Sequence, residues 1–201
     1  MYGAVPNRKK PRYHKSMPKY RPFTASGDDG QSKLLGRGRY SKADHRFEIL
    51  GTLDECSSVI GMAKSMIDTP DVKDILTQVQ RNLYQIMGEI SVISEHVEVL
   101  PPFGEDKLAE MEEIILRLNE ETRLPAGFVI PGDTPQQAFL DLARTVVRRA
   151  ERRLAPLYES KAIANPVIRK YINRLSSLLY QLELSVNAWQ GWEKPTMAKE
   201  K

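Results

Sequence analysis

Arg144, Arg148, Glu151 and Arg152 fall within the segment FLDLARTVVRRAERRLAPL, at the spacing of a single helix face. Counting about 100° per residue from Arg144, the other three lie near +40°, −20° and +80°, so all four share one sector. Guanidiniums held this close repel one another unless an anion sits among them. Arginine is also the side chain that grips phosphate oxygens through paired N–H donors. The pattern suits a helix that holds a polyanion. A solvated face, on which Glu151 relieves the Arg148–Arg152 spacing, is the alternative that the same residues allow.

A second group lies upstream, in FTASGDDGQSKLLGRGR (23–39). Glycines at 27, 30, 36 and 38 allow turns and close backbone approach to a ligand, and Thr24, Ser26 and Ser32 offer hydroxyls to phosphate oxygens. Asp28 suits a ligand hydroxyl, a backbone loop or a water on bound Mg²⁺. The segment is neither a Walker A sequence nor a GxGxxG turn after a strand. Alone it is a weak signal, and an ordinary turn-rich loop is the simpler reading. Together, a Gly/Ser/Thr loop and an arginine helix can enclose a polyphosphate.

Other chemistries lack their residues. Cys56 is the one cysteine and permits no intrachain disulfide; at mid-helix spacing it reads as a small buried residue. His14, His45 and His96 are scattered and give no metal-ligand spacing. No apolar run approaches a membrane span, and no signal-peptide h-region follows the start, so a soluble, reducing, cytoplasmic setting is expected.

The 201 residues carry a formal net charge of +4, but this is unevenly placed. Residues 1–22 hold seven Lys/Arg, four Pro and no acid, leaving 23 basic and 26 acidic side chains elsewhere, a net charge of −3. That tail reads as a flexible extension, since it lacks the apolar residues to fold alone. Its basic residues interleave with Tyr2, Tyr13 and Tyr20, a composition that also suits nucleic acid or a membrane surface; a solubilising extension is the simpler reading. Residues 190–201 read as a second loose end.

Between the tails, the elements that must position these groups are helices. Residues 44–67 carry Phe47, Leu50, Leu53, Ile60 and Met66 at three- and four-residue steps, and Pro70 closes the segment. Residues 71–98 repeat the pattern through Ile75, Val79, Leu83, Ile86, Ile90 and Ile93. Pro101–Pro102 break the chain, and 105–121 predict a shorter, acid-rich helix. A loop with Pro125, Gly127, Pro131 and Gly132 precedes the arginine helix, for which Thr134 is the N-cap and Pro135 the first residue. Pro156 should end or kink it. The last helix, 165–189, starts at Asn165–Pro166 and carries Val167, Tyr171, Leu175, Leu178, Leu179 and Leu182. Five helices with short links and no repeat predict an all-α, five-helix up-and-down bundle over 23–189, with the loop 24–39 ahead of it.

Six segments, taken in order, resemble the PduO-type ATP:corrinoid (cob(I)alamin) adenosyltransferase family. They are TASGDDGQS (24–32), YSKADHRFE (40–48), GTLDECSSVIG (51–61), FVIPGDTP (128–135), ARTVVRRAERR (143–153) and NRLSSLL (173–179), and the resemblance spans about residues 23–187. It implies a ferritin-like bundle assembled as a homotrimer with active sites between subunits. The implied activity is transfer of the 5′-deoxyadenosyl group of ATP to cob(I)alamin, with Mg²⁺ carried by ATP and no metal site of the protein's own.

By motif, ATP would be held by Thr24, Ser26, Gly27, Asp28, Gly30, Ser32 and Lys42 of one subunit and by Arg148, Glu151, Arg152 and Asn173 of its neighbour. Arg144 would pair with Asp54 across the interface, and Phe128 would cover one face of the corrin, with Ser177 and Tyr180 also on the corrin side. The catalytic parts fall to Arg148, Arg144, Asp54 and Phe128. The implied partners are a cobalt(II) reductase and an adenosylcobalamin-dependent enzyme. Three positions depart from the family pattern: Asp29 for a lysine, Asp133 for a glycine and Ser177 for an aspartate. The alternative they leave open is a non-catalytic paralogue that binds ATP or corrinoid, or a structural trimer recruited through its basic tail.

Overall fold

The computed structural model describes residues 23–93, 101–122, 124–189, 191 and 194–199. Its elements are β1 (Gln31–Ser32), β2 (Tyr40–Ser41), α1 (His45–Met66), α2 (Pro70–Ile90), α3 (Glu105–Glu121), α4 (Pro135–Glu159) and α5 (Pro166–Trp189). This is the predicted five-helix up-and-down bundle, with one two-residue antiparallel hairpin that the sequence did not foretell. α4 packs against both α1 and α5, α2 adds to the outside of α1, and α3 adds to the outside of α5. α4 and α5 therefore form the spine, and the arginine helix is structurally central.

The helix starts follow from their caps. Asp44 accepts from the Arg46 amide at 2.8 Å, Thr134 from the Gln137 amide at 3.2 Å, and Asn165 from the Val167 amide at 3.0 Å, each satisfying an N–H that has no partner within the helix. Three expectations need correction. α2 stops at Ile90, short of residue 98, where Ser91 turns back on the Met87 and Gly88 carbonyls; residues 94–98 lie outside the described set. α4 runs three residues past Pro156, because a proline in the last turn forfeits one hydrogen bond while Leu154 and Leu157 keep the turn buried. Met66 is exposed, while Phe47, Leu50, Ile75 and Ile93 are half-buried and lie outside the fully buried core.

The remaining predicted apolar positions are buried, and Cys56 is buried among them. α5 is buried along the whole run Gln181–Asn187, and of its four polar side chains Gln181, Glu183 and Asn187 find partners inside the protein while Ser185 has none among the described residues. Deeper in the bundle, Tyr171 meets Phe103 edge-on with ring centroids 4.8 Å apart, and its hydroxyl accepts from Asn82 at 3.0 Å. Glu89 accepts from the Phe103 amide at 2.7 Å and from Asn165 at 2.9 Å, tying the end of α2 to the entries of α3 and α5.

The ends of the chain divide. Residues 1–22, with the basic tail and its tyrosines, and His96 and Trp192 lie outside the described residues. Residues 194–199, read as part of a loose end, are instead bonded to the loop before α4: the Ile130 amide donates to the Thr196 carbonyl, and the Ala198 amide to the Phe128 carbonyl, both at 2.8 Å. No periodicity marks so short a segment in the sequence. Among the described residues, no helix is long and apolar enough to cross a membrane.

Replacing Tyr171 by Phe keeps the packing and strands the buried Asn82 N–H. The expected cost is about 1–3 kcal/mol, seen as a lower urea midpoint with unchanged slope.

Candidate active site

α4 carries arginines on two sides, and the two sides have different partners. Arg149 pairs with Glu55, and Arg153 pairs with Glu48 at 2.5 Å while donating to Thr52, so this side is neutralised by α1. On the other side, Arg144 binds Asp141 one turn back, at 2.9 and 2.6 Å, and lies 5.9 Å over the Tyr180 ring. Arg148 and Arg152 have no carboxylate partner among the described residues. Glu151 does not relieve them, because it accepts from Asn173 at 2.7 Å, while Arg152 donates to the Arg148 carbonyl.

Arg144 and Arg148 open into a cleft of about 780 Å³ formed by α3, α4, α5 and the loop before α4. Ile115, Leu116 and Leu124 form an apolar wall; Ser177 and Tyr180 come from α5; and Phe128 stands at the edge, 87% exposed. An aromatic ring held this far into solvent has its surface free for a ligand. The cleft therefore joins an apolar surface to the uncompensated Arg148, a combination that suits a large, mostly apolar ligand beside an anion.

The N-terminal loop is assembled separately. β1 and β2 pair Gln31 with Ser41 and Ser32 with Tyr40, bringing Lys42 back onto the turn, where its ammonium donates to the Gly27 carbonyl at 2.7 Å. Gly30 holds φ +79°, a conformation that the turn reserves for glycine, and a side chain at Gly27 would crowd the Lys42 ammonium at 3.0 Å. Thr24 and Ser26 hydroxyls are bonded to each other at 2.8 Å. Thr24, Ser26, Asp28 and Gly30 are exposed, and Ser32 is half-buried in β1. On its other side the loop is anchored to the end of α2 through the Leu35 amide and the Ser91 carbonyl, 2.8 Å apart.

Asp29 faces this loop without leaving a free negative charge. Arg39 forms a two-pronged pair with it, at 2.8 and 2.7 Å, and also donates to the Ser26 carbonyl. That hydrogen-bonded guanidinium, together with the Gln31 amide, holds the Asp29 carboxyl below the usual carboxylate range.

The structure thus gathers the predicted residues into two groups. Thr24, Ser26, Gly27, Asp28, Gly30, Ser32 and Lys42 share the hairpin; Phe128, Arg144, Arg148, Ser177 and Tyr180 share the cleft, with Glu151, Arg152 and Asn173 further along α4 and α5. No hydrogen bond or ion pair joins the two groups among the described residues. Asp54 is exposed on α1 and lines a shallow groove with Leu50 and Tyr84, while Arg144 takes Asp141 within the chain.

Sequence reasoning missed Asp141 and Glu183. The i, i+3 spacing of Asp141 and Arg144 could have revealed the first. The second sits in the apolar run LELSV, the signature of an acid inside a core. Glu183 is 1% exposed, lines the cleft, accepts from Gln137 at 3.1 Å and leaves its other oxygen unpartnered among the described residues. Burial first, then the neighbouring Asp141 carboxylate, push it up to about 7, against the pull of the Gln137 bond and the Arg144 charge. Burial likewise raises the Tyr180 hydroxyl and lifts the Cys56 thiol to about 12, so that Cys56 is no thiolate nucleophile. No group of three or more His, Cys, Asp or Glu side chains among the described residues can hold a metal ion.

The sequence profile of the family described as cobalamin adenosyltransferase matches residues 22–186. The chain belongs to the cobalamin adenosyltransferase family. Among its relatives, a corrinoid adenosyltransferase of Bacillus subtilis strain 168 is 34% identical over 173 residues, covering 84% of this chain and 88% of the relative. A corrinoid adenosyltransferase of Mycobacterium leprae is also 34% identical, over 83% of this chain and 91% of its own. A variant of the PduO-type ATP:corrinoid adenosyltransferase from Lactobacillus reuteri, solved with cobalamin and ATP, superposes with a TM-score of 0.82 at 26% identity, covering 90% of this chain and 98% of that one. The adenosyltransferase bundle and its PduO-type membership are therefore secure.

Glu183 gives this bundle a pH signature. Its folded-state value, about 7, lies above the ordinary 4.5, so the folded chain keeps a proton that the unfolded chain has lost. Its share of stability is full below about 4.5, falls as pH rises toward 7 and is flat above that. Glu183→Gln is expected to remove this slope and to be more stable than the parent at pH 8 by up to about 3 kcal/mol, measured by chemical unfolding across pH 5–8.

Proposed function

We propose that this chain transfers the 5′-deoxyadenosyl group of ATP to cob(I)alamin, releasing inorganic triphosphate. The observation that carries the reading is the cleft itself, in which exposed Phe128 and the Ile115–Leu116–Leu124 wall face Arg148. Both substrates bring their own metal chemistry: cobalt arrives in the corrin, and Mg²⁺ travels with the triphosphate.

Phe128 and the apolar wall would lie against the corrin and keep water and nitrogen ligands off the axial position, which eases reduction of cobalt(II). Cobalt(I) then attacks C5′ of the ribose. The Co–C bond forms as the C5′–O bond breaks, and the electron pair leaves on the triphosphate. Arg148, Arg152 and Lys42 would offset the charge gathering there, with Arg148, which lines the cleft, on the corrin side. Thr24, Ser26, Gly27, Asp28, Gly30 and Ser32 would cradle the nucleotide, with Glu151 holding Asn173 toward it. Ser177 and Tyr180 would border the corrin. No proton has to be taken from either substrate, so no general base is required.

The division into two unjoined half-sites supports a homotrimer in which the loop of one subunit meets the arginine face of the next. Exposed Asp54 is then available to Arg144 of a neighbour, which would share that guanidinium with Asp141. The Asp29–Arg39 pair supports activity in spite of the departure at position 29, since the carboxylate presents no free charge to phosphate. A cytoplasmic enzyme supplied by a cobalt(II) reductase and serving an adenosylcobalamin-dependent enzyme completes the reading.

The direct test is an anaerobic assay with reduced cobalamin and Mg-ATP, read from the corrin absorbance. The parent should turn over, and Arg148→Ala should lose about 30- to 1,000-fold in kcat, the worth of about 2–4 kcal/mol for a donor aimed at developing charge. A folded parent with no turnover would contradict the proposal. Arg39→Ala frees the Asp29 charge beside phosphate and is expected to raise the KM for ATP about threefold to tenfold, with Asp29→Ala in the same chain restoring it.

A further inference from the structure

Phe128 is mostly bare of protein contacts, so its place is set by its backbone, and the backbone of 128–133 has a partner outside the bundle. Residues 194–199 run antiparallel beside it, with Val129 opposite Met197. Two main-chain bonds join them, Ile130 amide to Thr196 carbonyl and Ala198 amide to Phe128 carbonyl, each 2.8 Å. Asp133 closes the far end: its carboxylate accepts from the Thr196 amide at 2.9 Å and from the Thr196 hydroxyl at 2.6 Å. At the near end the Met197 methyl packs on Gly127, where a Cβ would meet it at 3.0 Å.

We infer that the segment 194–199 is a strap that positions Phe128 over the corrin, and that Asp133 is its latch. The inference rests on the corrin-binding reading of the cleft. The strap lies beyond the residues matched by the family profile, which end at 186, and the latch is one of the three positions at which the sequence departs from the motifs it resembles. A carboxylate at 133 and a threonine at 196 thus form one device, and the departure at 133 acquires a purpose. From the bundle side, Gln137 accepts from the Gly132 and Asp133 amides at 3.0 and 2.7 Å and donates to Glu183, so the Phe128 segment is clamped between α4–α5 and the strap. Asp133 and Thr196 touch neither substrate in this account; they are positioning residues.

Asp133→Ala and Thr196→Pro both open the latch. The second removes the amide and hydroxyl donors from a site outside the bundle, so the five helices stay intact. With cob(II)alamin and saturating Mg-ATP, the readout is the fraction of four-coordinate cobalt, measured by electron paramagnetic resonance. Both variants are expected to lower that fraction about fivefold, the loss of a pair of exposed charge-assisted hydrogen bonds. kcat should fall in parallel, while the KM for ATP stays at the parent value. Parent-like four-coordinate fractions in both variants, with the parent active, would overturn the strap alone. A parent that neither turns over nor forms four-coordinate cobalt would overturn the underlying reading and the strap with it.

Discussion

Compensation of charge along α4 is the constraint on which the rest of the structure depends. The helix places Arg144, Arg148, Arg149, Arg152 and Arg153 within three turns, and a bundle cannot bury such a row unanswered. α1 answers one side with Glu48 and Glu55, at the rim of the apolar α1–α4 contact. Asp141 answers Arg144 from within the helix. Arg148 and Arg152 are left facing outward, beside an apolar cleft. Their lack of a carboxylate costs little at an exposed position and leaves two strong phosphate donors available.

The same logic links packing to the site through α5. Burying Gln181–Asn187 on all sides secures the spine, and Gln181, Glu183 and Asn187 each make at least one bond to a neighbouring segment, while the Ser185 hydroxyl has no partner among the described residues. Gln181 reaches the last turn of α3 through the Leu118 and Thr122 carbonyls, Asn187 accepts from Thr134, and Glu183 meets Gln137. Thr134 closes the loop that carries Phe128, and Gln137, in the first turn of α4, accepts from the Gly132 and Asp133 amides of that loop. The buried acid is a cost in stability above neutral pH, retained where it steadies the wall of the cleft.

Much of this was legible in the sequence because the signals are local. Asp44, Thr134 and Asn165 announce helix starts by capping chemistry, and the arginine sector follows from counting residues along a helix. Motif order carried the family. What stayed hidden depends on distant pairing. Asp29 and Arg39 meet only because the β1–β2 register folds ten residues back on themselves, so a departure that looked hostile to phosphate is neutral in the folded chain. α1 buries a single face that includes Thr52, Cys56 and Ala63, small residues with little hydrophobic signal, while the larger apolar Phe47, Leu50 and Met66 lie off that face, so Met66 was counted among the core. Pro156 reads as a stop, yet burial of Leu154 and Leu157 outweighs one missing hydrogen bond. The 194–199 segment has neither periodicity nor length; its structure comes from the edge it pairs with.

The central claim is that each chain holds two half-sites that become one site only between copies. Mixing two inactive variants tests it most directly: Lys42→Ala, damaged in the loop, with Arg148→Ala, damaged on the helix, the two being unfolded and refolded together so that subunits exchange. The account predicts that the mixture regains adenosyl transfer that neither variant shows alone, because some interfaces then pair an intact loop with an intact arginine face. A mixture that exchanges subunits and stays as inactive as its components, beside an active parent treated identically, would place the whole site within one chain and contradict the account.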